Sequence, residues 1–137
     1  MSIDIPAGKE PGSTMSAAIL IVEDEAQVLI LAESLLQEAG YETASASTLA
    51  EAEAIIHSEA KLDLVFTDLG LGEDAEGGIT VGRLVGQARS GMPVLYTSGR
   101  LVTDGMKSLL VERSAFLSKP YTAQDLLEAV ASLIPKG

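Results

Sequence analysis

Short apolar runs alternate with helical stripes of apolar residues along the chain, beginning at Ala17. A continuous run indicates a strand that is buried on both faces, whereas apolar residues three and four positions apart indicate a helix packed on one side. The pattern predicts strands at Ala18–Val22, Tyr41–Ala46, Leu62–Thr67, Val94–Thr97 and Ala115–Ser118. It predicts helices over Glu25–Ala39, Thr48–His57, Ile79–Ala88, Thr103–Val111 and Thr122–Leu133.

This alternation of strand and helix predicts the fold class. Repeated right-handed βαβ connections require a parallel sheet that helices cover on both faces. We therefore expect an α/β fold with a doubly wound, five-stranded parallel sheet. Residues 1–16 contain two prolines and two glycines without periodicity, so we expect a flexible N-terminal tail before one domain over residues 17–137.

Composition excludes several classes of site and partner. The 137 residues contain no cysteine and only one histidine, His57, which excludes disulfides, thiolate chemistry and multi-histidine metal sites. The net charge of −11 opposes binding to nucleic-acid phosphates or anionic lipid. No apolar run approaches the roughly 20 residues of a membrane helix, and the residues after Met1 lack the basic start and apolar core typical of a signal peptide. We expect a cytoplasmic protein that binds neither DNA nor membranes.

The residues that end the predicted strands carry the chemistry. Strand one ends in Glu23 and Asp24, strand three in Asp68, strand four in Thr97 and strand five in Lys119. In doubly wound sheets, ligands bind outside the carboxyl ends of the strands, so these side chains are expected to meet at one edge.

Three carboxylates, a hydroxyl and a lysine at one edge suit phosphoryl chemistry. Neighbouring carboxylates repel each other unless they take up protons or a cation, and Mg²⁺ prefers such oxygen ligands. A lysine can neutralise a phosphate, and a hydroxyl can donate to a phosphoryl oxygen. The aspartate between them can then act as a nucleophile towards phosphorus.

The sequence is similar to the receiver domain of two-component response regulators across Ala18–Lys136. The matching segments are Ile-Val-Glu23-Asp24, Phe-Thr-Asp68-Leu, Leu-Tyr-Thr97-Ser and Phe116-Leu-Ser-Lys119-Pro120, at the mutual spacing of that family. The resemblance implies the flavodoxin-like strand order 2-1-3-4-5.

The resemblance also implies roles for the acidic residues. Asp68 resembles the phosphoacceptor, which receives a phosphoryl group from a histidine kinase. Glu23 and Asp24 resemble the acidic pair that holds Mg²⁺ together with Asp68 and the backbone carbonyl of Gly70. No other cofactor is expected.

Three further positions resemble the switch of the family. Thr97 resembles the hydroxyl that moves to the phosphoryl group, and Lys119 resembles the lysine that binds it, with a bond to Pro120 that is usually cis. Phe116 resembles the aromatic residue that turns inward as Thr97 moves. The loop after Asp68 departs from the family, because it lacks the usual proline and is rich in glycine and acidic residues from Gly70 to Gly78.

These features predict a stand-alone response regulator rather than an enzyme, because one helix alone follows Pro120. We expect it to take its phosphoryl group from a histidine kinase or phosphotransfer protein and to change its contact with a downstream protein. It could act as a phosphorelay intermediate, a phosphate sink or a regulator of a kinase or motor. The expected state is a monomer or a weak phosphorylation-dependent dimer.

Three alternatives remain open at the level of sequence. A phosphohydrolase acting through Asp68 usually carries a second aspartate two residues later, where this chain has Gly70. A flavodoxin-like FMN-binding protein needs a phosphate loop after strand one, where Glu23, Asp24 and Glu25 would repel phosphate. The third alternative is a receiver-like module that binds partners without phosphorylation.

Overall fold

The computed structural model describes residues 16–72, 76–99 and 114–134, which form a five-stranded parallel sheet with helices. The strands are β1 (Ala18–Val22), β2 (Glu42–Ala46), β3 (Leu64–Asp68), β4 (Val94–Ser98) and β5 (Ser114–Ser118). Their spatial order is β2-β1-β3-β4-β5, and all neighbouring pairs are parallel. The predicted fold class and strand order are confirmed.

The described helices are α1 (Ala26–Glu38), α2 (Leu49–Ile56), α3 (Gly77–Ala88) and α4 (Ala123–Leu133). The helix predicted over Thr103–Val111 lies outside the described residues, as do residues 1–15 of the predicted tail. Within the described ranges, no helix has both the length and the apolar character needed to cross a membrane.

Two apolar clusters hold the layers together, one on each face of the sheet. Successive strand residues point to opposite faces, so Ile19 and Ile21 pack with α1 and α4, while Leu20 and Val22 pack with α2 and α3. All five residues of β1 are buried, as the continuous apolar run predicted.

Capping residues explain where two helices begin and where a third helix ends. The Thr48 hydroxyl accepts a hydrogen bond from the amide of Glu51, and Thr122 forms a reciprocal capping box with Asp125. Gly40 follows α1 with a φ of +99°, a left-handed conformation that favours glycine. These predicted helix boundaries are therefore confirmed to within one or two residues.

Helix α3 begins earlier than predicted, at Gly77 instead of Ile79. The glycine-rich segment favoured a loop from sequence alone, but tertiary contacts require glycine inside the first helical turn. The amide of Gly78 donates to the carbonyl oxygen of Leu69, and a Cβ on Gly78 would lie 2.1 Å from the Asp68 carbonyl oxygen. Strand β3 also differs, because it includes Asp68 and begins at Leu64.

Candidate functional site

The parallel sheet brings the predicted site residues to one edge. Asp68 lies beside Thr97 in the register of β3 and β4, and Ser98 lies beside Ser118, which precedes Lys119. Glu23 and Asp24 directly follow β1, the other neighbour of β3. As expected, these strand ends meet at the carboxyl edge of the sheet.

The three carboxylates form a compact cluster. Glu23, Asp24 and Asp68 each offer an oxygen, and these oxygens all lie within 4.8 Å of one another. Glu23 is only 4% exposed. Burial raises the pKa of its carboxyl above the usual value, although the Glu25 amide and the Lys119 ammonium act to lower it.

Lys119 provides the counter-charge for two of these carboxylates. Its Nζ lies 2.7 Å from Oδ2 of Asp68 and 3.1 Å from Oε1 of Glu23. Burial acts to lower the pKa of the ammonium, but the hydrogen bonds and charges of Asp68 and Glu23 outweigh burial and raise that pKa. Lys119 therefore stays charged at neutral pH. Its bond to Pro120 is cis, as the resemblance implied.

Backbone amides bind the second oxygen of each of these two carboxylates. The Glu25 amide donates to Glu23 Oε2 at 3.2 Å, and the Gly70 amide donates to Asp68 Oδ1 at 3.1 Å. Gly70 thus contacts the site through its N–H group. The contribution of its carbonyl to a metal site stays a prediction.

Thr97 is buried beside Asp68, and its hydroxyl is engaged elsewhere. Its Oγ1 donates to the carbonyl oxygen of Leu117 on β5 at 2.6 Å. Both Thr97 and Asp68 line a narrow cleft at the carboxyl edge of the sheet. In this structure the hydroxyl therefore holds β4 to β5, and it would have to leave Leu117 to reach a group on Asp68.

Phe116 lies on the face of the sheet that α2 and α3 cover. It pairs in register with Tyr96 and packs against the apolar cluster that contains Tyr96. Within the part of the chain that the structure describes, Phe116 does not line the cleft. Its predicted role therefore depends on movement of β5, which stays a prediction.

Two contributors to the site escaped the sequence analysis. Tyr121 lines the cleft and packs edge-on against Phe66, and burial raises the pKa of its hydroxyl. An aromatic residue directly after Lys119-Pro120 was the available signal. Gly72 donates its amide to Asp24 Oδ2 at 2.9 Å. Only the identity of a glycine near the end of β3 could have indicated it.

The donor set fits a hard divalent cation. The cluster supplies carboxylate oxygens without sulfur or imidazole ligands, which is the chemistry that Mg²⁺ prefers over softer metals. The close carboxylates also repel one another, and a cation would relieve this repulsion more completely than Lys119 alone.

Comparison with known proteins agrees with this geometry. A family model described as the response regulator receiver domain matches residues 19–131. A response regulator receiver protein from Sinorhizobium medicae WSM419 shares 33% identity, with a TM-score of 0.79 over 86% of this chain and 94% of that one. A receiver domain from Clostridium thermocellum shares 29% identity, with a TM-score of 0.74 over 86% of this chain and 94% of that one.

Curated relatives are longer than this chain. The alginate biosynthesis transcriptional regulatory protein AlgB of Pseudomonas aeruginosa is 31% identical over 122 residues, which cover 89% of this chain. The chain spans 27% of the length of that relative and 25% of the Pseudomonas putida protein of the same name. The similarity therefore concerns one domain of those proteins.

Proposed function

The chain belongs to the family of response regulator receiver domains of two-component systems, and from this premise we propose that Asp68 accepts a phosphoryl group from a histidine kinase or a phosphotransfer protein. The observation that carries the proposal is the position of Asp68, 2.7 Å from Lys119 Nζ and in a cluster with Glu23 and Asp24. A lysine and a cation at these positions would face the oxygens of a phosphoryl group on Asp68.

The chemical step is a transfer between two residues. A carboxylate oxygen of Asp68 forms a bond to phosphorus while the bond from phosphorus to the histidine nitrogen breaks, and the imidazole leaves with that electron pair. Mg²⁺ held by Glu23, Asp24, Asp68 and the Gly70 carbonyl would supply positive charge to the phosphoryl oxygens. Lys119 supplies a further positive charge. The protein assists only its own phosphorylation and dephosphorylation, so we class it as a receiver and not an enzyme.

The output that we propose is a change in protein binding. The phosphoryl group adds about two negative charges and three acceptor oxygens. These would draw the Thr97 hydroxyl from the Leu117 carbonyl and allow Phe116 to repack. Such a change shifts populations only by the difference in contact energy between the two states. A stand-alone organisation stays a prediction, since AlgB is a longer transcriptional regulatory protein.

Intact mass after incubation with Mg²⁺ and acetyl phosphate tests the phosphorylation. We expect the wild type to gain one labile phosphoryl group and Asp68→Asn to gain none. Asp63→Asn is the matched control, because Asp63 binds the Ala18 amide at the opposite end of the sheet and its variant should be phosphorylated normally. Chelation of Mg²⁺ should abolish the gain. A wild type that stays unmodified with metal present would refute the proposal.

The proposed switch is tested on the same samples. Thr97→Val should accept the phosphoryl group but lose the phosphorylation-dependent amide shifts of β5 in NMR spectra. Thr67→Val is the control, because Thr67 is also buried and its hydroxyl donates to the carbonyl of the next residue and not across to β5 among the described residues. If phosphorylation shifts the β5 amide signals of Thr97→Val as much as those of the wild type, Thr97 has no part in the switch.

A further inference from the structure

The carboxylates of the cluster differ in how they are held. Lys119 binds both Glu23 and Asp68, and each of these two also accepts a backbone amide from its own neighbourhood in the chain. Asp24 has no lysine partner among the described residues. Its carboxylate is instead tied through Oδ2 to the amide of Gly72, at 2.9 Å and across 48 positions in the sequence.

The backbone at Gly72 makes this contact possible. Its φ of +61° lies in the left-handed region, and a Cβ built there would have no atom within 4 Å. The constraint is therefore one of conformation and not of space. Glycine adopts this φ freely and asparagine tolerates it, whereas proline fixes φ near −65° and has no N–H group to donate.

We propose that Gly72 is a positioning residue for the divalent cation, acting through Asp24. Its amide fixes the exposed Asp24 carboxylate so that one oxygen stays within 4.8 Å of those of Glu23 and Asp68. Without this hydrogen bond, the Asp24 side chain would rotate into solvent. The entropic cost of ordering its carboxylate again would then weaken metal binding. Groups that orient metal ligands typically affect affinity by about 10–100-fold. The inference rests on the Mg²⁺ site of the proposed function.

The Gly72–Asp24 hydrogen bond and cation binding must favour each other. If the Gly72 amide favours cation binding, then a bound cation favours the hydrogen bond between Gly72 and Asp24 by the same factor. We therefore expect the Gly72 amide proton to exchange more slowly when Mg²⁺ saturates the site. Asp24→Ala should abolish this effect of Mg²⁺, because it removes the acceptor.

Mg²⁺ titrations of the full chain, followed by calorimetry and amide NMR, test the inference. We expect Gly72→Pro to weaken Mg²⁺ affinity by about ten-fold and Gly72→Asn, which keeps the N–H group, to stay near wild type. Gly72→Pro in an Asp24→Ala background should cause no further loss. Gly91→Pro is the matched control, since Gly91 also has a positive φ of +83° and a Cβ built there would have no atom within 4 Å, and it should leave Mg²⁺ affinity unchanged.

The outcomes separate the inference from the proposed function. Failure of the wild type to bind Mg²⁺ would refute the metal site itself. If the wild type binds Mg²⁺, equal losses from Gly72→Pro with and without Asp24 would overturn the positioning role. The positioning role would also be overturned if the Gly72 amide proton of the wild type exchanged at the same rate with and without Mg²⁺. This measurement does not depend on the folding of the proline variant.

Discussion

At the scale of single residues, Lys119 supplies positive charge to two of the three carboxylates of the site. Glu23 is buried, Asp68 is largely shielded, and both carboxylates depend on Lys119 for positive charge. A buried charge that loses its partner is costly, whereas a bound cation can take the place of that partner. Lys119 and a cation therefore act on the same carboxylates.

Lys119→Met removes this positive charge and should destabilise the protein. We expect its free energy of unfolding at neutral pH, measured in chelator by chemical denaturation, to fall by roughly 2 kcal/mol, less than for a fully buried pair. Mg²⁺ should restore more stability to this variant than it adds to the wild type.

The control for that measurement is Lys61→Met. Lys61 is exposed and lies 3.6 Å from Asp63, so its replacement should cost less than about 1 kcal/mol and should not alter the effect of Mg²⁺. Equal stabilisation of wild type and Lys119→Met by Mg²⁺ would contradict the shared role of Lys119 and the cation.

At the scale of elements, glycines decide how closely α3 approaches the sheet. The glycine-rich segment Gly70–Gly78 predicts a loop, yet Gly77 and Gly78 lie in the first turn of α3. Gly82 lies in the same helix, where a Cβ would be 1.9 Å from the hydroxyl oxygen of Tyr96 on β4. A periodicity argument cannot detect such contacts, because they depend on which strand residue faces the helix.

Gly82→Ala should therefore destabilise the protein by about 2 kcal/mol, through overpacking against Tyr96. Combining it with Tyr96→Phe removes the nearest atom and should restore part of that loss. The expected result is that the double variant loses less stability than the sum of the single variants, measured by chemical denaturation. Strictly additive losses would show that the clash is relieved in another way.

At the scale of the whole molecule, two apolar clusters support one charged edge, and the chain carries a net charge of −11. The sheet order places β3 in the interior, so Asp68 has a neighbouring strand on each side. The acidic surplus opposes contact with a nucleic-acid backbone. We expect this domain to exchange signals with proteins, whatever lies beside it in longer relatives.

The charge predicts the absence of direct DNA binding by this chain. Fluorescence anisotropy with a labelled duplex at physiological salt should show a Kd weaker than about 100 µM, the weak end of non-specific binding. A phosphorylated sample should bind no better, since it is more negative. Tighter binding that weakens steeply with salt would contradict this prediction and indicate a basic surface that the overall charge conceals.

By itself, the sequence determined the strand order through its resemblance, the fold class through its repeated βα pattern, and the residues that meet at the carboxyl edge. It could do so because the ends of parallel strands share one edge. Only the tertiary structure decided which donor meets which oxygen. Lys119 reaches Glu23 across 96 positions, Thr97 donates to Leu117, and Gly72 holds Asp24. These pairings depend on rotamers and on the sign of φ, which hydrophobic patterning does not encode.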